Sequence, residues 1–152
     1  MNYEESLEWL YNLQYIGIKL GLDNTKALLA ELGNPHEKLK CLHIAGTNGK
    51  GSSAHALASV LQEAGYKTGL YTSPHLKRFT ERIKINGEEI SENAVIEFVS
   101  QNKDALETIQ PSFFETTVVM AFDYFSKENV DIAVIEVGLG GRLDSTNILT
   151  PE

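Results

Sequence analysis

Residues 42–54 read Leu-His-Ile-Ala-Gly-Thr-Asn-Gly-Lys-Gly-Ser-Ser-Ala, and this stretch predicts an apolar strand, a glycine-rich turn and the start of a helix. The glycines let the backbone of the turn come close to an anion and direct its N–H groups toward it. The N-terminus of the helix adds a partial positive charge, and Lys50 adds a mobile cation for the outer phosphates of a nucleotide. A hydroxyl from Ser52 or Ser53 can then reach a bound magnesium ion. The stretch therefore predicts a nucleoside triphosphate site.

The turn departs at two positions from the common phosphate-loop pattern, G-x-x-x-x-G-K-[ST]. Ile44 stands where the pattern has its first glycine, and Gly51 stands where it has a serine or threonine. The alternative is a strand-to-helix turn that merely needs glycines. We favour the phosphate site because strand, glycines, lysine, hydroxyls and helix occur in the required order.

The composition is that of an ordinary globular domain, with 152 residues, 42% of them hydrophobic and 22% charged. A net charge of −8 at pH 7 argues against a general nucleic-acid binder or a membrane-surface binder. The single cysteine, Cys41, excludes an internal disulfide and a cysteine metal cluster, which favours a reducing compartment. The acidic N-terminus is unlike a signal peptide, and no apolar run approaches membrane-spanning length. We therefore expect a cytoplasmic protein without a nucleic-acid or membrane partner.

Hydrophobic spacing and turn signals divide the chain into helices and strands. The predicted helices are Glu4–Leu13, a helix capped by Asp23 or Asn24 that ends at Leu32, Gly51–Ala64, a helix capped by Ser91 that ends near Thr108, and a helix that begins at Pro111 and Ser112. The predicted strands are Lys40–Ala45, Lys67–Thr72, a hairpin over Glu81–Ile90 that turns at Asn86-Gly87, and Asp131–Val137. The last run is almost continuously apolar, which suits a central parallel strand buried on both faces. The sequence therefore predicts an α/β fold that contains a phosphate loop and a mostly parallel sheet flanked by helices.

Glu136 follows the apolar run 132–135, at the predicted carboxyl end of a strand. Ligands of open α/β sheets bind at this edge, so the carboxylate can hold magnesium directly or through water. The alternative is a carboxylate that accepts N–H groups from the backbone of residues 138–141. We favour the metal because an acid inside an apolar strand is costly to bury without a partner.

The second predicted strand leaves the same edge of the sheet through Thr72-Ser-Pro-His75. The Ser73 hydroxyl can complete a metal shell, and His75 can contact phosphate or substrate. A plain Ser-Pro turn with a surface histidine is an equally good interpretation of these residues.

Other polar residues have a simpler explanation from spacing alone. Lys77, Arg78 and Arg82 can steer an anionic substrate, but their spacing favours a solvated basic loop. Glu115 lies in the first turn of its predicted helix, where an acid complements the helix dipole. Asp144 either caps a turn or contacts substrate. Three histidines lack the spacing of metal ligands and are interpreted as structural or surface residues: His36, His43 and His55.

Several longer motifs occur in order along nearly the whole chain. They are Leu20-Gly-Leu22, Ala45-Gly-Thr-Asn-Gly-Lys-Gly-Ser52, Tyr71-Thr-Ser-Pro-His-Leu76, Glu81-Arg-Ile-Lys-Ile-Asn-Gly87, Phe114-Glu115 and Glu136-Val-Gly-Leu-Gly-Gly-Arg-Leu-Asp-Ser-Thr-Asn147. Together they resemble the folylpolyglutamate synthase/dihydrofolate synthase family of the Mur ligase superfamily. In that family Ile44 and Gly51 are ordinary features of the phosphate loop. The resemblance implies a partial Mur-ligase-type ATPase domain.

The resemblance also implies ATP-dependent amide formation, in which a substrate carboxylate takes the γ-phosphoryl group and the amino group of L-glutamate attacks the acyl phosphate. The ATP phosphates would be bound by Thr47, Asn48, Gly49, Lys50, Gly51 and Ser52, with Lys50 and Glu136 as catalytic residues. Magnesium would be bound by Ser73 and Glu136. Dihydropteroate or folate would be bound by Ile18, Lys19, Leu20, His75, Arg82, Ser112, Phe113, Phe114, Glu115, Leu143, Asp144 and Ser145, with residues 74–82 closing over it. For Ser73 and Glu115 it is the resemblance, not the spacing, that favours a functional role.

Members of this family are longer than 152 residues, and the resemblance places a further magnesium-binding histidine, a modified lysine and a C-terminal glutamate-ligase domain beyond Glu152. We therefore expect residues 1–152 to be the N-terminal part of the ATP-binding domain of a protein that is monomeric at full length. We expect this piece alone to have no ligase activity and to bind ATP weakly. Two other classes stay open: a phosphate-loop kinase of a small metabolite, and a nucleotide-binding module without catalysis.

Overall fold

The computed structural model describes residues 1–13, 22–45 and 50–136. Its helices are α1 (Tyr3–Asn12), α2 (Asp23–Glu31), α3 (Lys50–Glu63), α4 (Glu92–Ile109) and α5 (Phe113–Lys127). Its strands are β1 (Cys41–Ile44), β2 (Thr68–Tyr71), β3 (Ile83–Ile85), β4 (Glu88–Glu89) and β5 (Ile132–Glu136). Short 3-10 turns cover Pro35–Lys38 and Phe79–Arg82. None of the helices in these ranges is long and apolar enough to cross a membrane.

The strands form a sheet in the order β1-β5-β2-β3-β4. Strands β1, β5 and β2 are parallel, which confirms that the predicted strand at Asp131–Val137 pairs in parallel with its neighbours. Strands β3 and β4 continue it in antiparallel pairing, so the whole sheet is mixed. The predicted hairpin turn is confirmed, because Asn86 and Gly87 both have positive φ angles, 49° and 81°.

Strand β5, which lies between the other two parallel strands, is buried on both faces, as its apolar sequence predicts. Ala133, Val134 and Ile135 have no exposed surface. In the neighbouring strand β2, Gly69 lies against the ring of Phe125 from α5, and a Cβ at this position would come within 2.8 Å of that ring. A glycine is therefore needed for the close packing of α5 on the sheet.

The helices cover the two faces of the sheet unequally. Successive strand residues point to opposite faces. On one face, helices α1, α2, α4 and α5 form a large core with residues such as Tyr71 and Ile135. On the other face, in the part of the chain that the structure describes, α3 packs its small residues against Leu70 and Val134.

Capping residues set most of the helix starts. The Oγ atom of Ser91 accepts the Ala94 N–H at 3.1 Å and caps α4, as predicted. The prediction that Asp23 or Asn24 caps α2 is wrong, because the helix already begins at Asp23 and Leu22 makes no side-chain cap bond. Asp23 instead lies in the first turn, where its charge complements the helix dipole.

Candidate functional site

The carboxyl ends of the three parallel strands lie at one edge of the sheet. Ile44 of β1 pairs with Glu136 of β5, and Tyr71 of β2 pairs with Ile135 of β5. Helix α3 is the next element after β1, so the chain leaves the carboxyl end of β1 and enters the N-terminus of α3. This edge is where open α/β sheets bind their ligands.

Glu136 ends β5 with only 6% of its surface exposed. A Cβ built on Gly51 would lie 3.9 Å from its Oε2 atom, so the carboxylate lies beside the first turn of α3. The N–H groups and partial positive charge of a helix N-terminus stabilise a negative charge in this position. A carboxylate here can also serve as an oxygen ligand for Mg²⁺.

Two serines belong to the same region of the molecule. Ser73 follows the last residue of β2 by two positions and is half-buried, and Ser52 is exposed in the first turn of α3. We call Gly51, Ser52, Ser73 and Glu136 the strand-end site. Among the described residues, no three His, Cys, Asp or Glu side chains form a group that could hold a metal ion. A magnesium ion at the strand-end site would therefore take carboxylate and hydroxyl oxygens, which are ligands that it prefers.

Glu81 organises the chain that follows Ser73. Its carboxylate accepts the backbone N–H groups of Arg78 at 2.9 Å, Leu76 at 3.0 Å and Lys77 at 3.1 Å. These hydrogen bonds, the one from Arg78 above all, lower the pKa of Glu81 to about 2. The segment from Leu76 to Glu81 is therefore held as a closed turn.

The basic residues of this segment have different surroundings. Arg78 is 62% exposed and forms an ion pair with Glu89 of β4 at 3.0 Å, and Lys77 is exposed. For these two the interpretation as a solvated loop is confirmed. For Arg82 that interpretation is wrong, because Arg82 is only 8% exposed. It is buried because α1 and α5 cover the end of the loop.

Arg82 donates from Nε to Nδ1 of His75 at 2.7 Å. A guanidinium N–H is always a donor, so Nδ1 accepts and a neutral imidazole has its hydrogen on Nε2. Nε2 lies 3.4 Å from the hydroxyl of Tyr11 in α1. Burial, and then the charge of Arg82, lower the pKa of His75, which favours the neutral ring. His75 is therefore half-buried, and each of its ring nitrogens has a hydrogen-bond partner. A surface histidine in a plain Ser-Pro turn would not have both partners.

Two phenylalanine rings complete this group. Phe113, the first residue of α5, stacks on Tyr11 with 5.3 Å between ring centroids, and the guanidinium carbon of Arg82 lies 5.1 Å from the Phe113 centroid. Phe79 meets His75 and Phe113 edge-on at 6.3 and 6.0 Å. We call Tyr11, His75, Phe79, Arg82 and Phe113 the arginine cluster. A cation beside stacked rings can bind a planar anion.

Ser112 and Glu115 form a capping box at the start of α5. The Ser112 N–H donates to Glu115 Oε2 at 2.8 Å, and the Glu115 N–H donates to Ser112 Oγ at 3.2 Å. Both residues are buried, and Phe114 packs against the large core. The structure thus supports the interpretation of Glu115 as a helix-start acid. Substrate contacts of Ser112, Phe114 and Glu115 stay predictions.

The structure brings together three of the predicted substrate residues, His75, Arg82 and Phe113, and it places Glu136 beside Gly51. The backbone of residues 138–141, the alternative partner of Glu136, lies outside the described residues, as does the side chain of Lys50. The other predicted site residues outside that range are Ile18, Lys19, Leu20, Thr47, Asn48, Gly49, Leu143, Asp144 and Ser145.

Two members of the arginine cluster, Tyr11 and Phe79, are not predicted as site residues. Tyr11 has the helical spacing of an apolar-face residue, and it is separated from His75 by 64 positions. The available signal is chemical, because the hydroxyl of a tyrosine in an apolar stripe needs a partner. Only the tertiary structure shows which partner that is.

No protein-family model matches the chain. The chain is 42% identical over 98% of its length to the dihydrofolate synthase/folylpolyglutamate synthase of Bacillus subtilis and covers 36% of it. It is 40% identical over 99% of its length to the folylpolyglutamate synthase of Lacticaseibacillus casei and covers 37% of that enzyme. The chain therefore spans about a third of the length of these curated relatives.

Solved structures of folylpolyglutamate synthases share the fold. The crystal structure of folylpolyglutamate synthase from Thermotoga maritima is 48% identical with a TM-score of 0.90, over 98% of this chain and 36% of that one. A folylpolyglutamate synthase complex with AMPPCP is 41% identical with a TM-score of 0.91, over 99% of this chain and 38% of that one. Nearly the whole of this chain is thus homologous to part of the folylpolyglutamate/dihydrofolate synthases.

Proposed function

We propose that the protein is an ATP-dependent carboxylate–amine ligase that adds L-glutamate to dihydropteroate, to folate, or to both. The observation that carries this proposal is an identity of 42% over 98% of the chain to an enzyme named for these activities. The two candidate sites support it, because one suits a magnesium–nucleotide complex and the other suits a planar anion.

The proposed reaction uses ATP to make a carboxylate reactive toward an amine. A carboxylate oxygen of the substrate attacks the γ-phosphorus of ATP, the bond to the bridging oxygen breaks, and ADP leaves. The amino nitrogen of glutamate then attacks the acyl carbon of the acyl phosphate. Inorganic phosphate leaves with the electron pair of the broken C–O bond, and the nitrogen loses a proton to solvent.

We infer that the strand-end site binds the nucleotide. Residues 47–52 would surround the phosphates, Ser73 and Glu136 would hold Mg²⁺, and Lys50 would stabilise the transferred group. A bound magnesium ion neutralises phosphate charge and orients the γ-phosphoryl group. The position of the Glu136 carboxylate beside the first turn of α3 supports this fit, because helix N-termini bind phosphate. A related structure that contains AMPPCP supports the choice of nucleotide.

We infer that the arginine cluster binds the pteroate or folate substrate. Arg82 supplies the positive charge and Phe113 supplies a ring for stacking. Residues 18–20, 112–115 and 143–145 would complete this site. Support comes from relatives that were solved with folate and AMPPCP, and with DHPP and ADP.

We further propose that residues 1–152 form the N-terminal part of the ATP-binding domain. The glutamate-ligase domain would correspond to the part of the relatives that this chain does not span. The proposed full-length protein is a cytoplasmic monomer that acts on small molecules. The buried thiol of Cys41 supports a reducing compartment.

The test supplies the full-length protein with MgATP, L-glutamate and either dihydropteroate or folate. We expect mass spectrometry to show a substrate heavier by one glutamyl residue, with ADP and phosphate released in equal amounts. Comparing the two substrates decides between dihydrofolate synthase, folylpolyglutamate synthase and both. A phosphorylated substrate without glutamate would identify a kinase, and ATP binding without turnover would identify a non-catalytic module. Either result contradicts the proposal.

A further inference from the structure

Arg82 carries a positive charge on a residue that is largely buried. The residue is 8% exposed, and none of the ion pairs in residues 1–13, 22–45 and 50–136 includes it. Its Nε atom is used by His75, and its two terminal nitrogens have no hydrogen bond to this part of the chain. A buried charge is costly unless an ion of opposite sign pairs with it. The terminal nitrogens are therefore suited to bind an anion.

The orientation of Arg82 depends on His75. The bond from Arg82 Nε to His75 Nδ1 fixes which edge of the guanidinium faces His75, and it does not use the two terminal nitrogens. The histidine can hold this orientation only if its own ring is fixed. Its second nitrogen, Nε2, lies 3.4 Å from the hydroxyl oxygen of Tyr11, to which it can donate its hydrogen.

Tyr11 contacts the arginine cluster with both its hydroxyl group and its ring. Its hydroxyl meets His75, and its ring stacks on Phe113, over which the Arg82 guanidinium also lies. Tyr11 is part of α1, and Phe113 is the first residue of α5. Through Tyr11, helix α1 thus contacts the loop that carries His75 and Arg82.

We propose that Tyr11 is a positioning residue of the substrate site. It fixes His75, and through His75 it keeps the terminal nitrogens of Arg82 directed at a carboxylate of the planar substrate. This inference rests on the proposed function for the identity of that substrate. The arrangement of Tyr11, His75 and Arg82 itself can be tested without any ligand.

The first measurement follows the side-chain nitrogens of His75 and Arg82 by NMR at a single pH. Tyr11→Phe removes the hydroxyl and keeps the ring, whereas Tyr11→Ala removes both. The matched control is Tyr66→Phe, because Tyr66 is 51% exposed and lies three positions after the end of α3. We expect Tyr11→Phe to speed solvent exchange of the His75 Nε2 hydrogen several-fold, and Tyr11→Ala to speed exchange of the Arg82 Nε hydrogen as well. Unchanged signals in Tyr11→Phe and Tyr11→Ala would overturn the inference, and if Tyr11→Ala does not fold, Tyr11→Phe decides.

The second measurement is the dissociation constant of the full-length protein for folate, with MgATP present. We expect about a threefold increase in Tyr11→Phe, about tenfold or more in Tyr11→Ala, and no change in Tyr66→Phe. A loss of folate affinity with unchanged His75 and Arg82 signals would show a packing role and overturn the inference. If the unmodified protein binds neither folate nor dihydropteroate, the proposed function fails, while the NMR signals still decide whether Tyr11 positions Arg82.

Discussion

The strand-end site and the arginine cluster are both candidate ligand sites, but the chain assembles them in different ways. Each member of the strand-end site lies within two positions of the end of a parallel strand or of the start of α3. The arginine cluster takes its members from α1, from the segment before β3 and from α5, with 64 positions between Tyr11 and His75. One site follows from local sequence, and the other exists only after the helices have packed.

The two sites also carry opposite charge. Glu136 brings a buried negative charge to the first turn of α3, and Arg82 brings a buried positive charge to a group of aromatic rings. The first suits a cation that accompanies phosphates, and the second suits an anion with a flat ring. A substitution in one site should therefore weaken the binding of its own ligand and leave the affinity for the other ligand unchanged.

The largest effect is expected from Glu136→Gln, which removes the charge and keeps the size of the side chain. In the full-length protein, the affinity for ATP in the presence of Mg²⁺ should fall about a hundredfold, because the charged ligand of the ion is lost. Folate affinity should change by less than about twofold, because Glu136 is not a member of the arginine cluster. Calorimetry with Mg²⁺ and with EDTA checks both statements.

Glu63→Gln, an exposed residue at the other end of α3, is the control. A similar loss of ATP affinity in EDTA would contradict the metal role.

The converse change is Arg82→Ala. Losing hydrogen bonds to a charged group costs about 2 kcal/mol, so folate affinity should fall about thirtyfold. ATP affinity should be unaffected. Arg78→Ala is the matched control, because Arg78 has the same charge on the same loop but is exposed and paired with Glu89. Equal losses in the two variants would mean that the loop attracts folate only by its general charge.

The sequence predicts where the residues of the strand-end site lie in the fold, because their positions follow from local rules. Hydrophobic runs give the strands, glycines give the turn, and parallel strands bring their carboxyl ends to one edge. Glu136 can therefore be placed at that edge from its position in the sequence alone. The start of α2 is predicted less well, because Asp23 and Asn24 have the same capping chemistry and the helix begins at the first of them.

The arginine cluster is predicted only in part, and through the family resemblance. Spacing alone favours a solvated loop for Arg82, since sequence does not show that α1 and α5 will cover it. Tyr11 has an ordinary helical spacing, so its contacts with His75 and Phe113 carry no local signal. Glu81 is similar, because its three bonds to backbone N–H groups depend on how the loop closes.

A smaller effect is expected at the capping residue that positions Phe113. Ser112→Ala leaves the buried N–H of Glu115 without its acceptor, which should lower the free energy of unfolding by about 1.5 kcal/mol. Ser91→Ala removes the same kind of cap from α4 at an exposed position and should cost about 1 kcal/mol or less. Urea unfolding measures both changes. Because Phe113 follows Ser112 directly, only Ser112→Ala should also weaken folate binding. Equal folate affinities in the two variants would mean that the cap at the start of α5 does not position Phe113 for folate binding.

The smallest effect is the acid sensitivity of the loop that carries His75 and Arg82. The pKa of Glu81 is lowered from 4.5 to about 2 by the N–H groups of Arg78, Leu76 and Lys77, so the folded protein favours the ionised form. The stabilisation is therefore fully present above pH 4.5 and is lost as the pH falls toward 2. Glu81→Gln should flatten the dependence of unfolding free energy on pH in this window, whereas Glu8→Gln, an exposed residue of α1, should not. Stability that falls equally steeply with Glu81→Gln would mean that the closed turn contributes nothing to acid sensitivity. Since the strand-end site does not depend on this turn, ATP affinity in Glu81→Gln should stay unchanged at neutral pH.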